Sequence, residues 1–324
     1  MIRKIGLCYA RGFDPYSNLA LERWLLEHVE EDQCILYLWQ NQNTVVIGKN
    51  QNPWAECRVA ELEADGGKLA RRMSGGGAVF HDLGNLNFTF LVPEDAYDLD
   101  RQLLVIQRAC ALAGIPTERS GRNDVLTQGR KFSGNAFYHG QGRAYHHGTI
   151  LIHADSQKLQ KYLTPPKAKL EAKGVSSVRS RIINLRELQP ELTCETMKAY
   201  LSQAFTEVYG LSAVQIPVPD DKTLEPFRST FSSWEYLFGK PLPFQLECQR
   251  KFPWGYIQLQ IQVHSGILQQ LNVYTDAMDW TLSDQIRSAL SGCPLSRDAI
   301  KKALLPSDPV IAEDILTLLS QEIL

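Results

Sequence analysis

Short β-rich runs alternate with capped amphipathic helices along most of this 324-residue chain. Residues 14–32 begin with a capping Asp and a first-turn Pro, and their apolar residues recur on one face, which predicts a helix. Residues 85–92 (NLNFTFLV) alternate between the two sides of an extended chain, which predicts a strand. Because the two kinds of element follow one another repeatedly, we predict an α/β fold.

A domain boundary is predicted where Gly239, Pro241 and Pro243 interrupt regular structure. Beyond it, residues 256–276 have the pattern of a β-hairpin, and two amphipathic helices follow. We therefore predict two domains, residues 1–244 and a small α+β domain of residues 245–324.

Composition excludes several classes of function. The formal net charge is −2, so nothing draws the whole chain to nucleic acid or to an anionic membrane. No apolar run approaches a membrane span, and the histidines lack zinc-site spacing. Seven cysteines occur without a CxxC pair or a secretory signal, which predicts free thiols in a reducing cytoplasm.

Three consecutive glycines, Gly75 to Gly77, follow Arg71 and Arg72. Glycine permits close approach of a backbone, and arginine pairs well with phosphate, so the segment is a candidate anion-binding loop. It is neither a P-loop nor a GxGxxG loop, because the required Lys-Ser/Thr and the third glycine are missing. A glycine-rich surface hairpin with solvated arginines is an equal alternative on this segment alone.

A second cluster of residues that could serve in catalysis or ligand binding lies between residues 121 and 153. Lys131 lies within a predicted strand, where it is either an exposed edge residue or a fixed cation between a carboxylate and a phosphate. Asp124 is either a turn residue or a Mg²⁺ ligand. His146 and His147 are adjacent, so in a strand they point to opposite faces and at most one faces a given pocket.

These segments together resemble the bacterial lipoate–protein ligases. The resemblance is carried by residues 71–85 (RRMSGGGAVFHDLGN), 121–136 (GRNDVLTQGRKFSGNA), 146–155 (HHGTILIHAD) and 173–185 (KGVSSVRSRIINL). Residues 14–22, 43–57 and 232–244 are similar to further family segments, and the remainder resembles the family's accessory domain. The resemblance covers essentially the whole chain in order.

The resemblance implies a biotin/lipoate ligase-like fold, a mixed sheet flanked by helices, and a two-step reaction. Lipoate and ATP give lipoyl-AMP and pyrophosphate, and a lysine of a carrier protein then takes the lipoyl group. Lys131 is implied as the catalytic residue that contacts lipoate and the α-phosphate. The implied nucleotide-binding residues are Arg72, Gly77, Ala78, Val79 and Phe80, and the implied substrate-binding residues are Ser74, His81, Asn85, Asp124 and His147.

The implied co-substrate is ATP with Mg²⁺, without a prosthetic group, and Asp124 is the candidate metal contact. The implied partners are lipoate, octanoate, and the apo lipoyl domains of 2-oxoacid dehydrogenase E2 subunits and of glycine cleavage H protein; a monomer is expected. A basic rim for the acceptor is predicted at Arg143, Lys173, Arg179 and Arg181, with a simple solvated face as the alternative.

Three other functions are weighed against the ligase. An octanoyl or lipoyl transferase on the same fold uses a cysteine nucleophile, but the glycine-rich segments contain no cysteine and Cys110 lies in a predicted amphipathic helix. A biotin ligase would carry a GRGR loop, which is missing. A non-catalytic lipoate or nucleotide carrier would bind without releasing pyrophosphate.

Overall fold

The computed structural model of the protein describes residues 1–120, 124–164, 182–239, 246–264 and 266–322. The strands of this part of the chain are β1 (Lys4–Tyr9), β2 (Gln33–Trp39), β3 (Thr44–Ile47), β4 (Lys68–Arg71), β5 (Val79–His81), β6 (Asn85–Pro93), β7 (Glu118–Ser120), β8 (Asp124–Thr127), β9 (Arg130–Gly140), β10 (Arg143–Leu151), β11 (Ala213–Gln215), β12 (Leu246–Phe252), β13 (Gly255–His264) and β14 (Ile267–Thr275). The helices are α1 (Pro15–His28), α2 (Pro53–Glu56), α3 (Val59–Ala64), α4 (Leu99–Leu112), α5 (Ser156–Tyr162), α6 (Cys194–Tyr209), α7 (Asp221–Ser232), α8 (Trp234–Phe238), α9 (Leu282–Leu290), α10 (Arg297–Ala303) and α11 (Pro309–Glu322).

An eight-stranded mixed sheet forms the centre of the larger part of the described chain, in the order β11-β1-β2-β6-β10-β9-β8-β7. Strand β1 pairs in parallel with β2 and β11, whereas β2, β6, β10 and β9 pair antiparallel in turn. The predicted mixed sheet flanked by helices is confirmed.

The alternation predicted in β6 sorts its side chains onto two covered faces. Leu86, Phe88 and Phe90 pack into a core with apolar residues of α4 and α6. Leu91 joins a second core on the opposite face, where α1 packs. Asn87 and Thr89 are buried on that second face as well, so this face carries buried polar side chains among its apolar ones.

A small sheet in the order β4-β3-β5 lies beside this second face and carries the glycine-rich segment between β4 and β5. The sequence of residues 52–67 predicts one helix that ends at glycine, and this prediction is wrong: α2 and α3 are separate. Cys57 lies between them in a β-bridge with Leu163, and the Arg58 N–H donates to the Tyr162 carbonyl (2.9 Å). Pairing with this distant segment interrupts the helix.

The C-terminal part has its own core, built on the antiparallel sheet β12-β13-β14. The predicted hairpin is confirmed as β13 and β14, while β12 and α10 were not predicted. The boundary predicted after residue 244 falls within residues 240–245, outside the described residues. In the described chain, no helix has the length and apolar character needed to cross a bilayer.

Candidate active site

A pocket of about 190 Å³ opens between the second face of the large sheet and the small sheet. Its wall combines apolar side chains with backbone of the glycine-rich segment and with the Lys131 side chain. The apolar lining residues are Leu19, Trp39, Val46, Ala78, Val79 and Ala136. A slot of this kind takes an elongated molecule with an apolar body and an anionic head.

Each of the three glycines has a different structural role. A Cβ on Gly75 would lie 2.4 Å from the Ala277 carbonyl oxygen, so this glycine admits the C-terminal part of the chain. Gly76 has a φ of +90°, which disfavours other residues, and its N–H donates to Ala277 O (3.1 Å). Gly77 lines the pocket, and its Cβ position is open. The close approach predicted from the sequence is therefore partly to the protein's own chain.

The two arginines before the loop do different work. The Arg71 guanidinium is buried and donates to main-chain carbonyls of Gly48, Lys49, Gln51, Tyr236 and Leu237. It therefore ties the loop to two neighbouring segments, and its nitrogens are occupied. Such a side chain has a structural role, which the sequence did not separate from phosphate binding.

Arg72 lines the pocket and holds the shape of the glycine loop. Its Nη2 donates to the carbonyls of Gly75 (2.8 Å) and Gly77 (2.8 Å), and its Nε donates to Ser74 Oγ (3.1 Å). Burial lowers the pKa of Arg72 to about 10, so it is still a cation at neutral pH. The cation therefore lies directly behind the backbone that borders the pocket.

A buried hydrogen-bond chain continues from Arg72 through Ser74 to His147 and Glu22. The Ser74 hydroxyl lies 2.8 Å from His147 Nε2, and His147 Nδ1 lies 2.9 Å from Glu22 Oε1. A carboxylate can only accept, so His147 Nδ1–H donates to Glu22, and the Ser74 hydroxyl donates to Nε2 of that tautomer. This fixes one tautomer and orientation of the His147 ring at the pocket wall.

Glu22 is also held from the sheet. Thr89 Oγ1 donates to Glu22 Oε1 (2.7 Å), and Trp39 Nε1 donates to Thr89 Oγ1 (3.0 Å). Trp39 and His147 both line the pocket, so one buried carboxylate orients two of its walls. Glu22 was not predicted as a site residue, although its helical spacing from Leu19 and Leu26 was a usable signal.

His81 presents a hydrogen-bond donor to the pocket. Asn18 Nδ2 donates to Asn41 Oδ1 (2.9 Å), so Asn41 Nδ2 donates to His81 Nδ1 (3.3 Å) and the ring proton sits on Nε2. Burial, together with Arg72 and His147, lowers the pKa of His81 to about 3, which keeps the ring neutral. Its Nε2 is buried and has no partner among the described residues.

Lys131 lies in β9 and lines the pocket. Its Nζ is 2.6 Å from Asp124 Oδ1, and both side chains are about one third exposed (36% and 34%). The ammonium also lies over Gly134, 2.9 Å from the position that a Cβ there would take. The charge is thus placed at a fixed point yet is accessible from the pocket.

The prediction that His146 and His147 face opposite ways is confirmed. His147 lines the pocket, whereas His146 is buried between aromatic rings of Phe88, Phe90 and Phe137. Burial lowers the pKa of His146 to about 3, and Nε2 lies 2.8 Å from Asn135 Oδ1. His146 is a structural histidine.

The structure gathers the predicted site residues around this pocket in two groups. The pocket wall contains Arg72, Gly77, Ala78, Val79, His81, Lys131 and His147. Ser74, Asn85 and Asp124 do not line the pocket but contact residues that do, while the Phe80 side chain packs on Tyr162 in a separate core. Of the predicted rim, Arg143 is described, and residues 173, 179 and 181 lie outside the described residues.

The seven cysteines are free and buried. Burial raises the pKa of the Cys110 thiol to about 12, and Cys110 belongs to the core beneath the opposite face of the sheet. None of the residues that line the pocket in the described chain is a cysteine. The expectation that Cys110 is a packing residue is confirmed.

Comparison with known proteins agrees with this geometry. Residues 14–206 match the family model of the lipoyl protein ligase A/B catalytic domain, and residues 242–321 match that of the bacterial lipoate protein ligase C-terminus. The chain is 39% identical over 308 residues to the lipoate-protein ligase A of Psychrobacter cryohalolentis, covering 92% of this chain and 91% of the relative.

Solved structures share the fold. The crystal structure of LipL1 of P. falciparum in complex with lipoate superimposes with a TM-score of 0.85 at 28% identity, over 98% of this chain and 100% of that one. A lipoate-protein ligase A bound with ATP superimposes with a TM-score of 0.62 at 23% identity, over 74% of this chain and 99% of that one, and shows the fold alone. On both the catalytic and the C-terminal match, the chain belongs to the lipoate–protein ligase family.

Proposed function

We propose that the protein is an ATP-dependent lipoate–protein ligase, which activates lipoate as lipoyl-AMP and transfers the lipoyl group to a protein lysine. One observation carries the proposal: a single pocket combines apolar side chains with a cation, Lys131, and with the glycine-rich backbone. The apolar side chains suit the dithiolane and its chain, and the cation suits a carboxylate. Family membership supports the same reaction.

In the first step, the lipoate carboxylate attacks the α-phosphate of ATP, so two anions must approach each other. Lys131 is the catalytic residue of this proposal, since its ammonium reduces their repulsion and stabilises the charge that develops between them. Asp124, 2.6 Å from that ammonium, holds it in place. His147, fixed by Glu22 and Ser74, orients the bound acyl chain.

The nucleotide is assigned to the glycine-rich border of the pocket. Gly77, Ala78 and Val79 line it, with Phe80 following in the same strand, and their backbone is available to the nucleotide. Arg72 supports this backbone and adds a positive potential behind it. His81 offers its unpaired Nε2–H, and Asn85 acts by holding a neighbouring side chain.

Magnesium enters the proposal with ATP. In the described chain, no three His, Cys, Asp or Glu side chains come together as a metal site. Mg²⁺ usually binds through one or two carboxylates and the phosphates of its substrate, and Asp124 supplies one partly exposed carboxylate beside Lys131. The donor set therefore fits a metal that arrives on the nucleotide, where it would neutralise phosphate charge.

The proposed acceptors are the apo lipoyl domains of 2-oxoacid dehydrogenase E2 subunits and glycine cleavage H protein, as the family resemblance implies. Octanoate, which resembles the lipoyl chain without its sulfurs, is a proposed second substrate. We further propose that the enzyme works as a monomer in the cytoplasm. The seven free thiols agree with a reducing compartment.

The test is to incubate the protein with ATP, Mg²⁺, lipoate and an apo lipoyl domain, and to follow both pyrophosphate release and the acceptor mass. Without the acceptor domain we expect release of pyrophosphate, and in the presence of the acceptor domain we expect a lipoylated lysine as well. Acyl transfer from an acylated carrier protein without ATP would identify a transferase instead. Binding of lipoate and ATP without turnover would identify a carrier.

A further inference from the structure

Asn87 places a buried amide group on the wall of the pocket. Its side chain is 1% exposed, and its Oδ1 accepts from Asn85 Nδ2 (2.9 Å). Its Nδ2 is buried and has no hydrogen-bond partner among the described residues. A buried donor without a partner is costly to stability, so its presence on a ligand pocket indicates that the ligand supplies the acceptor.

The strand pairing relates the position of Asn87 to that of Lys131. Asn87 pairs across strands with Thr149, and the Gly134 N–H donates to Thr149 Oγ1 (3.3 Å). The Lys131 ammonium lies over Gly134, so Asn87 and this cation occupy one row that crosses three strands. Two strand spacings amount to about 10 Å between the backbones of Asn87 and Gly134. Both side chains line the pocket along this row.

We propose that Asn87 is a further catalytic residue, whose Nδ2–H donates to the acyl carbonyl oxygen of lipoyl-AMP and to the oxyanion formed during transfer. The proposal rests on the ligase function. With the α-phosphate near Lys131, the acyl carbon lies between that cation and Asn87. The carbonyl oxygen then points at the free amide N–H.

The transfer step explains why a donor is useful at this point. The neutral amine of the acceptor lysine attacks the acyl carbon, an N–C bond forms, and the carbonyl electron pair moves onto oxygen. Collapse of this intermediate breaks the bond between the acyl carbon and the phosphate oxygen. AMP leaves with that electron pair, and the nitrogen loses one proton to water. Asn87 stabilises the transient negative charge on oxygen.

The first step makes a smaller demand on Asn87. There, the carboxylate loses charge as its oxygen bonds to phosphorus, so a donor on the other oxygen gains little strength. Asn85 is the positioning residue, because its amide holds Asn87 Oδ1 and leaves Nδ2 directed at the ligand. The two steps should therefore respond differently to loss of the Asn87 donor.

The experiment compares Asn87→Leu, which has a similar shape without hydrogen bonding, with the unaltered enzyme. Pyrophosphate release without acceptor measures the first step, and single-turnover transfer from pre-formed lipoyl-AMP to an apo lipoyl domain measures the second. Removal of one oxyanion donor typically costs about 10²–10³-fold in rate, so we expect a loss of that size in transfer and less than about tenfold in adenylation. Asn87→Ser, which is smaller, should show the same preferential loss if the leucine variant fails to fold.

Ser133→Ala is the matched control, because Ser133 Oγ is likewise buried without a described partner but does not line the pocket. This variant should retain both rates. Equal loss of both steps in the Asn87 variants, or unchanged transfer, would overturn the assignment. Pyrophosphate release by the unaltered enzyme tests the ligase function separately.

Discussion

Replacing Lys131 separates a catalytic cation from a structural one. Its ion pair with Asp124 is partly exposed, and such pairs contribute about 0–1 kcal/mol to stability, so Lys131→Ala should fold normally. The lost stabilisation of developing charge should be larger, about 2.7–4 kcal/mol, by analogy with loss of one preorganised donor. We expect pyrophosphate release to fall by about 10²–10³-fold.

Two further variants test the position of the charge. Lys131→Arg keeps the charge, but the ammonium already lies 2.9 Å from the Cβ position of Gly134, so a wider guanidinium cannot occupy the same point. Gly134→Ala keeps the lysine and displaces its flexible end. Both should fold, both should lose most adenylate formation, and transfer from pre-formed lipoyl-AMP should fall as well.

The assay is lipoate-dependent pyrophosphate release, with acceptor lipoylation followed in parallel. Circular dichroism and thermal unfolding check that each variant is folded. Near-normal turnover by folded Lys131→Ala would remove this residue from the mechanism. A loss that appears only together with unfolding would make Lys131 a structural residue.

Three other perturbations have defined outcomes. Gly75→Ala should loosen the contact with Ala277, because the added Cβ would lie 2.4 Å from the Ala277 carbonyl oxygen, whereas the Cβ of Gly77→Ala meets open space. Hydrogen exchange of residues 275–281 should therefore be faster in Gly75→Ala than in Gly77→Ala. Equal protection in the two variants would contradict this role of Gly75. Folding lowers the pKa of His81 from 6.5 to about 3, so between these pH values the unfolded chain binds one more proton than the folded chain. The unfolding free energy therefore falls on acidification, and His81→Gln should reduce this slope by about 1.4 kcal/mol per pH unit. An unchanged slope would refute the lowered pKa of His81. Arg143 lines a second cavity of about 210 Å³ together with Arg23 and Lys49, and this positive charge should steer the acceptor domain. Added salt and Arg143→Ala should therefore both slow transfer more than adenylation. Equal effects on the two steps would argue against electrostatic steering of the acceptor.

The sequence predicted elements well where local signals agree with the fold. Asp14 caps α1 by accepting from the Ser17 N–H (3.0 Å), as its position before Pro15 indicated. The alternation of β6 and the opposite faces of His146 and His147 follow from strand geometry alone. Helices α2 and α3 could not be separated in advance, because the bridge between Cys57 and Leu163 is a long-range contact.

The candidate site shows the same division. Clustering of Lys131, Asp124 and the glycine-rich loop was predictable from residue type and family resemblance. Arg71 donates to main-chain carbonyls, and Gly75 leaves room for the backbone at Ala277. Both roles depend on contacts between distant segments and could not be predicted. The helical spacing of Glu22 from Leu19 and Leu26 was a signal of its burial, whereas the burial of Asn87 on the pocket wall became visible only in three dimensions.

The central claim is that the pocket joins lipoate to the α-phosphate of ATP at Lys131. Exchange of labelled pyrophosphate into ATP measures this directly, because it requires reversible formation of an acyl-adenylate and no acceptor protein. We expect exchange that depends on lipoate and is lost in Lys131→Ala. Absence of lipoate-dependent exchange in the folded enzyme with Mg²⁺ and ATP would contradict it.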